Sequence, residues 1–142
     1  MGNYEALAIE ILKTAFGGRW IRDDSRIFSF GPDAGIGQVD GTIDGRIAVE
    51  IGVGSPKQIR ASVLDMALHP YPGKLLVLVD TPGHSTERSA SQAEALLESL
   101  GCSGVVFRLD ERQDLGQIAA ELAQLVAEYG VLNGDDSYDP PR

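Results

Sequence analysis

The chain has 142 residues, of which 43% are hydrophobic and 23% are charged. This composition supports one globular core and excludes a disordered chain or a coiled coil. No stretch has the ~20 consecutive apolar residues of a membrane helix, and the N-terminal residues lack the basic flank and apolar run of a secretion signal. We therefore expect a soluble, cytoplasmic protein with no membrane partner. The single cysteine, Cys102, excludes an internal disulfide.

The net charge of −9 argues against non-specific coating of nucleic acid, which requires clustered Lys and Arg. The charge is uneven along the chain. Residues 1–79 contain 9 acids and 8 bases, whereas residues 80–142 contain 12 acids and 4 bases. We therefore expect an anionic ligand to contact the N-terminal half, and the acidic C-terminal half to suit a protein partner.

The first half of the chain predicts a helix followed by strands. Apolar residues at helical spacing predict an amphipathic helix over residues 3–16, which the glycines at 17 and 18 end. Residues 26–30 form a short strand candidate that a Gly-Pro pair interrupts. A clearer apolar–polar alternation from Gln38 to Ile51 predicts two more strands.

The second half alternates between helices and strands. Ser55 and Pro56 are typical of a helix start, and this helix should end near His69. The apolar run 75–79 predicts a central strand buried on both faces. The remaining pattern predicts a helix over 86–100, a strand over 104–109 and a helix over 110–128.

These elements predict an α/β fold, a three-layer α/β/α arrangement with a mixed sheet. The predicted order is α-β-β-β-α-β-α-β-α within a single domain of residues 1–132. Residues 133–142, with two prolines and three aspartates, are expected to form an exposed acidic tail.

The segment from Gln38 to Gly52 is the most informative part of the sequence. Asp44-Gly45 predicts a hairpin between two alternating runs. The apolar residues of both runs share a face only if the loop has an odd number of residues, because a one-residue slip reverses the faces. A three-residue turn with glycine in the left-handed conformation therefore places Asp40 and Glu50 on one face of adjacent strands, where they can share a divalent cation.

The helix, the hairpin with Asp40 and Glu50, the next helix and the buried strand resemble the PD-(D/E)XK nucleases of the restriction-endonuclease-like fold. The resemblance covers roughly residues 3–80. It implies a nuclease, most simply for DNA, in which Asp40 and Glu50 hold Mg²⁺ or Mn²⁺. In such enzymes the metal orients water and offsets charge on the scissile phosphate.

The sequence departs from the family motif at two positions. Gly52 stands where the family has lysine two residues after the glutamate, and Val39 stands where it has proline. In some relatives a basic residue on the following helix takes the role of the lysine. We therefore expect Lys57 to be the relocated basic catalytic residue, and we expect Gln58 and Arg60 beside it to contact substrate phosphate.

A second hypothesis uses the same fold without catalysis. The chain would then be an inactive member that binds a protein through its acidic C-terminal half, with Gly52 marking the lost site. If it is active, a domain of this size would hold a duplex best as a homodimer with two sites. Arg46, Lys57 and Arg60, all expected near the proposed metal, would then face the DNA.

The letters Asp80-Thr81-Pro82-Gly83-His84 match the magnesium-side motif of translational GTPases. A GTPase also requires a Gly-rich phosphate loop that ends in Lys-Ser or Lys-Thr, and the sequence has none. We therefore interpret residues 80–84 as a strand end followed by a proline-glycine turn.

Overall fold

A five-stranded mixed sheet forms the centre of the protein. The computed structural model describes residues 3–22, 28–29, 36–37, 39–53, 55–110 and 113–132. Its strands are β1 (Trp20–Arg22), β4 (Gly41–Ile43), β5 (Ile47–Gly52), β6 (Gly73–Asp80) and β7 (Val105–Asp110). They are ordered β1-β4-β5-β6-β7 across the sheet, while β2 (Phe28–Ser29) and β3 (Ile36–Gly37) lie outside it.

The two halves of the sheet have different strand directions. β1, β4 and β5 pair antiparallel, whereas β5, β6 and β7 pair parallel. The parallel pairs are connected by α2 (Pro56–Leu68) and α3 (Glu87–Ser99), as crossover connections require. The carboxyl ends of β5, β6 and β7 therefore lie at one edge of the sheet.

The start of the sheet differs from the prediction. The edge strand is β1 at Trp20–Arg22, which was not predicted because three residues are too few to show an alternation. The predicted strand over 26–30 contributes β2 (Phe28–Ser29), which pairs with β3 (Ile36–Gly37) in a separate two-stranded sheet. The predicted element order is thus wrong before residue 38, because the described residues there form three strands and the prediction has one.

Helices cover both faces of the main sheet, so the fold is a three-layer α/β/α sandwich. One face is covered by α1 (Asn3–Phe16) and α4 (Leu115–Leu132). The other face is covered by α2 and α3. Both faces of β6 are consequently buried: Leu75, Val77 and Val79 pack on the first side, and Leu76 and Leu78 pack on the second. The prediction of a central strand buried on both faces is confirmed.

Local sequence signals position the helices. α1 ends at Phe16, and Gly17 takes the left-handed conformation with a φ of 56°. Ser55 caps α2 with Pro56 in its first turn, as predicted, and the helix ends at Leu68 with His69 as its C-cap. α4 begins at Leu115, five residues later than expected, because β7 continues to Asp110. Asp114 accepts from the backbone N–H of Gln117 at 3.1 Å at the start of α4.

The hairpin between β4 and β5 has the predicted three-residue turn. Ile43 pairs with Ile47, and Gly45 has a φ of 63°. Asp44 also has a positive φ, 58°, which aspartate tolerates better than most residues. Two hydrogen bonds of 2.8 and 2.7 Å connect the Asp44 carboxylate to the guanidinium of Arg19. This ion pair fixes the turn against the chain that enters β1.

The predicted exposed tail, 133–142, lies outside the described residues. Among the described helices, none has the length and apolar content needed to cross a membrane.

A substitution at Gly41 tests the close contact between β4 and the edge strand β1. A Cβ atom there would lie 2.3 Å from Cη2 of Trp20 and 2.6 Å from the Ile21 carbonyl oxygen. We expect Gly41→Ala to lower the free energy of unfolding by about 1–3 kcal/mol, the usual effect of overpacking. Gly18→Ala is the matched control, because nothing lies within 4 Å of a Cβ at that position. Equal denaturant midpoints for the two variants would contradict the proposed contact.

Candidate active site

Asp40 directly precedes β4, and Glu50 lies near the carboxyl end of β5. The paired register of the two strands ends at Gly41↔Val49, so Asp40 and Glu50 are the next residue beyond the last pair on each strand. The two carboxyl groups are hydrogen-bonded to each other. Asp40 Oδ2 also accepts from the backbone N–H of Ile51 at 2.7 Å, where the β4–β5 ladder ends. The predicted placement of both side chains on one face is therefore confirmed.

The face that carries Glu50 is not open to solvent. Helix α2 packs over it, and Glu50 is 5% exposed, while Asp40 is half-buried. Val39, expected to join Ile43 and Val49 on the opposite face, instead packs in the core under α2 and α3. Residue 39 precedes β4, so the strand alternation does not extend to it.

Burial determines the charge of Glu50. Removal from water disfavours the carboxylate, and the neighbouring charge of Asp40 disfavours it further. Together with the hydrogen bond to Asp40 and a smaller effect of Asp65, these raise the pKa of Glu50 to about 11. This shift favours the protonated form of Glu50 at neutral pH, with a proton in the hydrogen bond between the two carboxyl groups.

Asp65 is a third acid beside this pair and was not among the residues predicted from the sequence. It lies on α2, half-buried, next to the buried stripe of Ile59, Val63 and Met66. Burial and the charge of Asp40 raise its pKa. A helical-wheel projection places Asp65 at the border of the apolar face, and this position is the signal that the sequence offers. The projection does not show which strand that border faces.

The predicted residues Lys57, Gln58 and Arg60 have different surroundings on α2. Lys57 and Arg60 are exposed on α2, and within the described part of the chain neither forms an ion pair. Gln58 belongs to a capping box: its Oε1 accepts from Ser55 N at 3.1 Å, and its own N–H donates to Ser55 Oγ at 3.3 Å. The bond from Ser55 N to Oε1 holds the side-chain amide of Gln58 at the start of α2.

Arg46 does not lie near the acidic pair, contrary to expectation. It occupies the turn before β5, whereas Glu50 is four residues further along the strand. At about 3.3 Å per residue this separation is about 13 Å along the strand.

Gly52, at the position of the family lysine, is enclosed by the core. A Cβ atom there would lie 2.5 Å from Cδ2 of Leu78 and 3.3 Å from Cγ1 of Ile59. Leu78 is fully buried between the sheet and the helices. Any side chain at this position therefore requires Leu78 to move.

The segment that matches the GTPase motif is a strand end and a turn, as interpreted from the sequence. Thr81 and His84 exchange backbone hydrogen bonds of 3.1 and 2.8 Å around the turn. Asp80 accepts from the N–H of Thr86 at 2.7 Å, and its Oδ2 lies 3.1 Å from Arg108. Its carboxylate is thus held by protein groups.

The acidic pair offers two carboxylates, and water or phosphate could reach them only from the side of Asp40, because Glu50 is 5% exposed. Among the described residues, no three His, Cys, Asp or Glu side chains are grouped so as to hold a metal ion. Mg²⁺ commonly uses only one or two carboxylates and completes its shell with water and substrate phosphate. Asp40 and Glu50 fit this pattern, because a cation placed between them would replace the proton that they share.

Comparison of the chain with protein families, with characterised proteins and with solved structures found no match.

The burial of Glu50 predicts how stability depends on pH. Its folded pKa lies far above the unfolded value near 4.5, so above pH 4.5 the folded protein keeps a proton that the unfolded chain releases. We expect the free energy of unfolding of the metal-free protein to fall as pH rises from 5 to 8, by up to about 1.4 kcal/mol per unit. Urea unfolding at a series of pH values measures this slope.

Glu50→Gln should flatten the slope, because the neutral amide has no proton to release. Glu10→Gln, at an exposed position on α1, is the matched control and should retain it. A slope that is unchanged in Glu50→Gln would show that Glu50 is ionised in the folded protein.

Proposed function

We propose that the chain is a divalent-metal-dependent phosphodiesterase of the PD-(D/E)XK type, with a restriction-endonuclease-like fold and DNA as its substrate. The observation that carries this proposal is the Asp40–Glu50 pair, two opposed carboxyl groups that share one proton beside α2. The arrangement of α1, the antiparallel strands β1, β4 and β5, α2 and the parallel strand β6 agrees with the resemblance.

Asp40 and Glu50 are the residues that would hold Mg²⁺ or Mn²⁺. When bound, the metal would polarise the scissile phosphate and lower the pKa of a water molecule. The N–H of Ile51 on β5 donates to Asp40 Oδ2. This hydrogen bond holds the carboxylate in place and thereby orients its other oxygen. Glu50 must lose its proton before it can act as a ligand, and the buried position of its carboxyl favours recapture of either a proton or a cation.

The exposed basic residues of α2 indicate the side from which the substrate would approach. Lys57, in the first turn, would offset the charge that develops on the phosphate, and Arg60 would contact a neighbouring phosphate. Gln58 would act through the helix start that it caps. In the hydrolysis, water adds to phosphorus and the bond to one ester oxygen breaks, which yields a phosphate monoester and a hydroxyl group.

A homodimer is part of this proposal. Two copies would carry a net charge of −18, so the bases of α2 must face the duplex and the acidic C-terminal helices must face away from it. A closed two-fold pair would present one acidic pair to each strand.

One observation favours the alternative, an inactive member of the same fold that binds a protein partner. Gly52 is packed against Leu78, so the family lysine cannot be accommodated without repacking. The net charge of −8 in residues 80–142 would then serve an interaction surface.

Calorimetry with Mn²⁺ tests the metal site. We expect one Mn²⁺ to bind and about one proton to be released, which is measured by repeating the titration in buffers with different ionisation enthalpies. Asp40→Ala should abolish binding. Glu94→Gln, at an exposed position on α3, is the control and should leave binding unchanged. Equal Mn²⁺ binding by Asp40→Ala and the native protein would refute the metal site and favour the interaction module.

A cleavage assay tests the role of Lys57. Loss of a positioned electrostatic group typically lowers turnover by about 100-fold, and we expect this for Lys57→Ala on duplex DNA with Mg²⁺. Its unfolding midpoint should stay unchanged, because the side chain is exposed. Lys13→Ala, also exposed but on α1, should retain full activity. Full activity of Lys57→Ala would show that Lys57 is not the residue that offsets the charge on the phosphate.

A further inference from the structure

Strand β7 is an open edge of the main sheet. It pairs with β6 along all of its residues, Val105–Asp110, and within the described part of the chain no strand pairs with its other side. An edge strand presents a row of backbone N–H and C=O groups without strand partners. β7 can therefore serve as a template on which a further strand forms.

β7 lacks the features that commonly keep an edge strand from pairing. Such strands are kept very short, or they carry lysine, proline or a bulge. The opposite edge, β1, has only 3 residues, whereas β7 has 6, among them neither lysine nor proline. The one base of β7, Arg108, lies 3.1 Å from Asp80 Oδ2 on β6. Val105, Val106 and Phe107 are half-buried, whereas the residues that pair with them on β6 are fully buried.

A groove with a volume of about 510 Å³ lies between β7 and α4. Its apolar lining consists of Phe107 on β7 and of Ala120 and Leu125 on α4. Alternate residues of a strand point to the same face of a sheet. If a strand were added beside β7, every second side chain would therefore point to the face that Phe107 occupies and would lie in this groove.

The polar residues of the groove form an acidic stripe along α4. They are Gln117, Glu121, Gln124 and Glu128, which follow one another at intervals of three or four residues and so share one side of the helix. The stripe is about 16.5 Å long at 1.5 Å per helical residue, and five residues of an extended strand span the same length. Both glutamates are exposed, and within the described residues neither forms an ion pair. Each accepts only from a glutamine of the same stripe, at 3.4 and 3.0 Å.

The charge of the stripe distinguishes a second copy of the chain from a different polypeptide. If two β7 strands paired antiparallel around a two-fold axis, the α4 helices of both copies would lie side by side on one face of the joined sheet. Glu121 and Glu128 of one copy would then approach those of the other, and like charges disfavour such a contact. A basic side chain fits the groove better. The aliphatic part of a lysine can cover Phe107 and Leu125 while its ammonium group reaches a glutamate.

We propose that β7 and the acidic stripe of α4 bind an extended basic segment of another protein, which adds to the main sheet as a further strand. The backbone of the segment hydrogen-bonds to β7, and every second side chain is a lysine or arginine that lies in the groove toward Glu121 and Glu128. The use of this surface in the cell rests on the alternative function, an interaction module. The binding itself does not depend on the acidic pair at Asp40 and Glu50.

An NMR titration with a capped peptide of alternating lysine and valine, at physiological ionic strength, tests strand addition. We expect the amide signals of β7 to shift and saturate, and the peptide amides to become protected from hydrogen exchange. A second peptide, with proline in place of each valine, has the same charge but cannot complete the backbone ladder, so it should bind at least about tenfold more weakly. Absence of saturable shifts in β7, or equal affinity for the two peptides, would overturn the proposal.

Two double variants test the acidic stripe. Glu121→Gln combined with Glu128→Gln should weaken the binding of the lysine–valine peptide by about five- to tenfold, the combined effect of two exposed ion pairs. Glu5→Gln combined with Glu10→Gln is the matched control, because it removes the same charge from α1, which packs against β1 and β6. The control should bind like the native protein. An equal loss in both double variants would show that the net charge of the chain attracts the peptide, and would refute the groove.

Two further measurements separate this surface from the metal site and from self-association. Asp40→Ala should bind the peptide like the native protein, so failure of the phosphodiesterase proposal would leave this result unaffected. In the absence of peptide, the amide signals of β7 should not change with protein concentration. If they do change while light scattering shows a doubled mass, a second copy occupies the edge and the proposal is wrong.

Discussion

The register of the β4–β5 hairpin is the constraint on which the candidate site depends. A turn of three residues pairs Ile43 with Ile47, and the ladder continues to Gly41 and Val49, directly before Asp40 and Glu50. A turn shorter by one residue would send one of the two carboxyl groups to the other face. The N–H of Asp44 donates to the backbone carbonyl of Arg19 at 3.0 Å, which connects the turn to the chain that enters β1. The ion pair between the same two side chains is exposed and adds little to this contact.

The layer of helices gives the acidic pair its chemistry. On an open sheet two opposed carboxylates would both ionise and be separated by water. Helix α2 excludes that water, and this burial raises the pKa of Glu50. Asp65, carried by the same helix, adds a further acid at the border. The three acids together favour the binding of positive charge, whether a proton or another cation.

Much of the fold could be predicted from local signals. The apolar run in β6 indicates burial on both faces, and Ser55 with Pro56 indicates the start of α2. The turn at Asp44 fixes the face of both acids. The edge strand Trp20–Arg22 could not be predicted, because its assignment depends on pairing with β4 and not on its own pattern. The burial of Glu50 and the approach of Asp65 also depend on where α2 packs. Tertiary contacts of this kind leave little trace in the local sequence.

The crowding at Gly52 couples two positions that are distant in sequence. A methyl group of Leu78 fills the space that a side chain on residue 52 would need. A lysine there would require the end of the Leu78 side chain to move, or a smaller residue at position 78, and that second change alone would leave a cavity in the core. The packing therefore disfavours a side chain at residue 52. A basic group meets no such contact on the exposed first turn of α2, where Lys57 already lies.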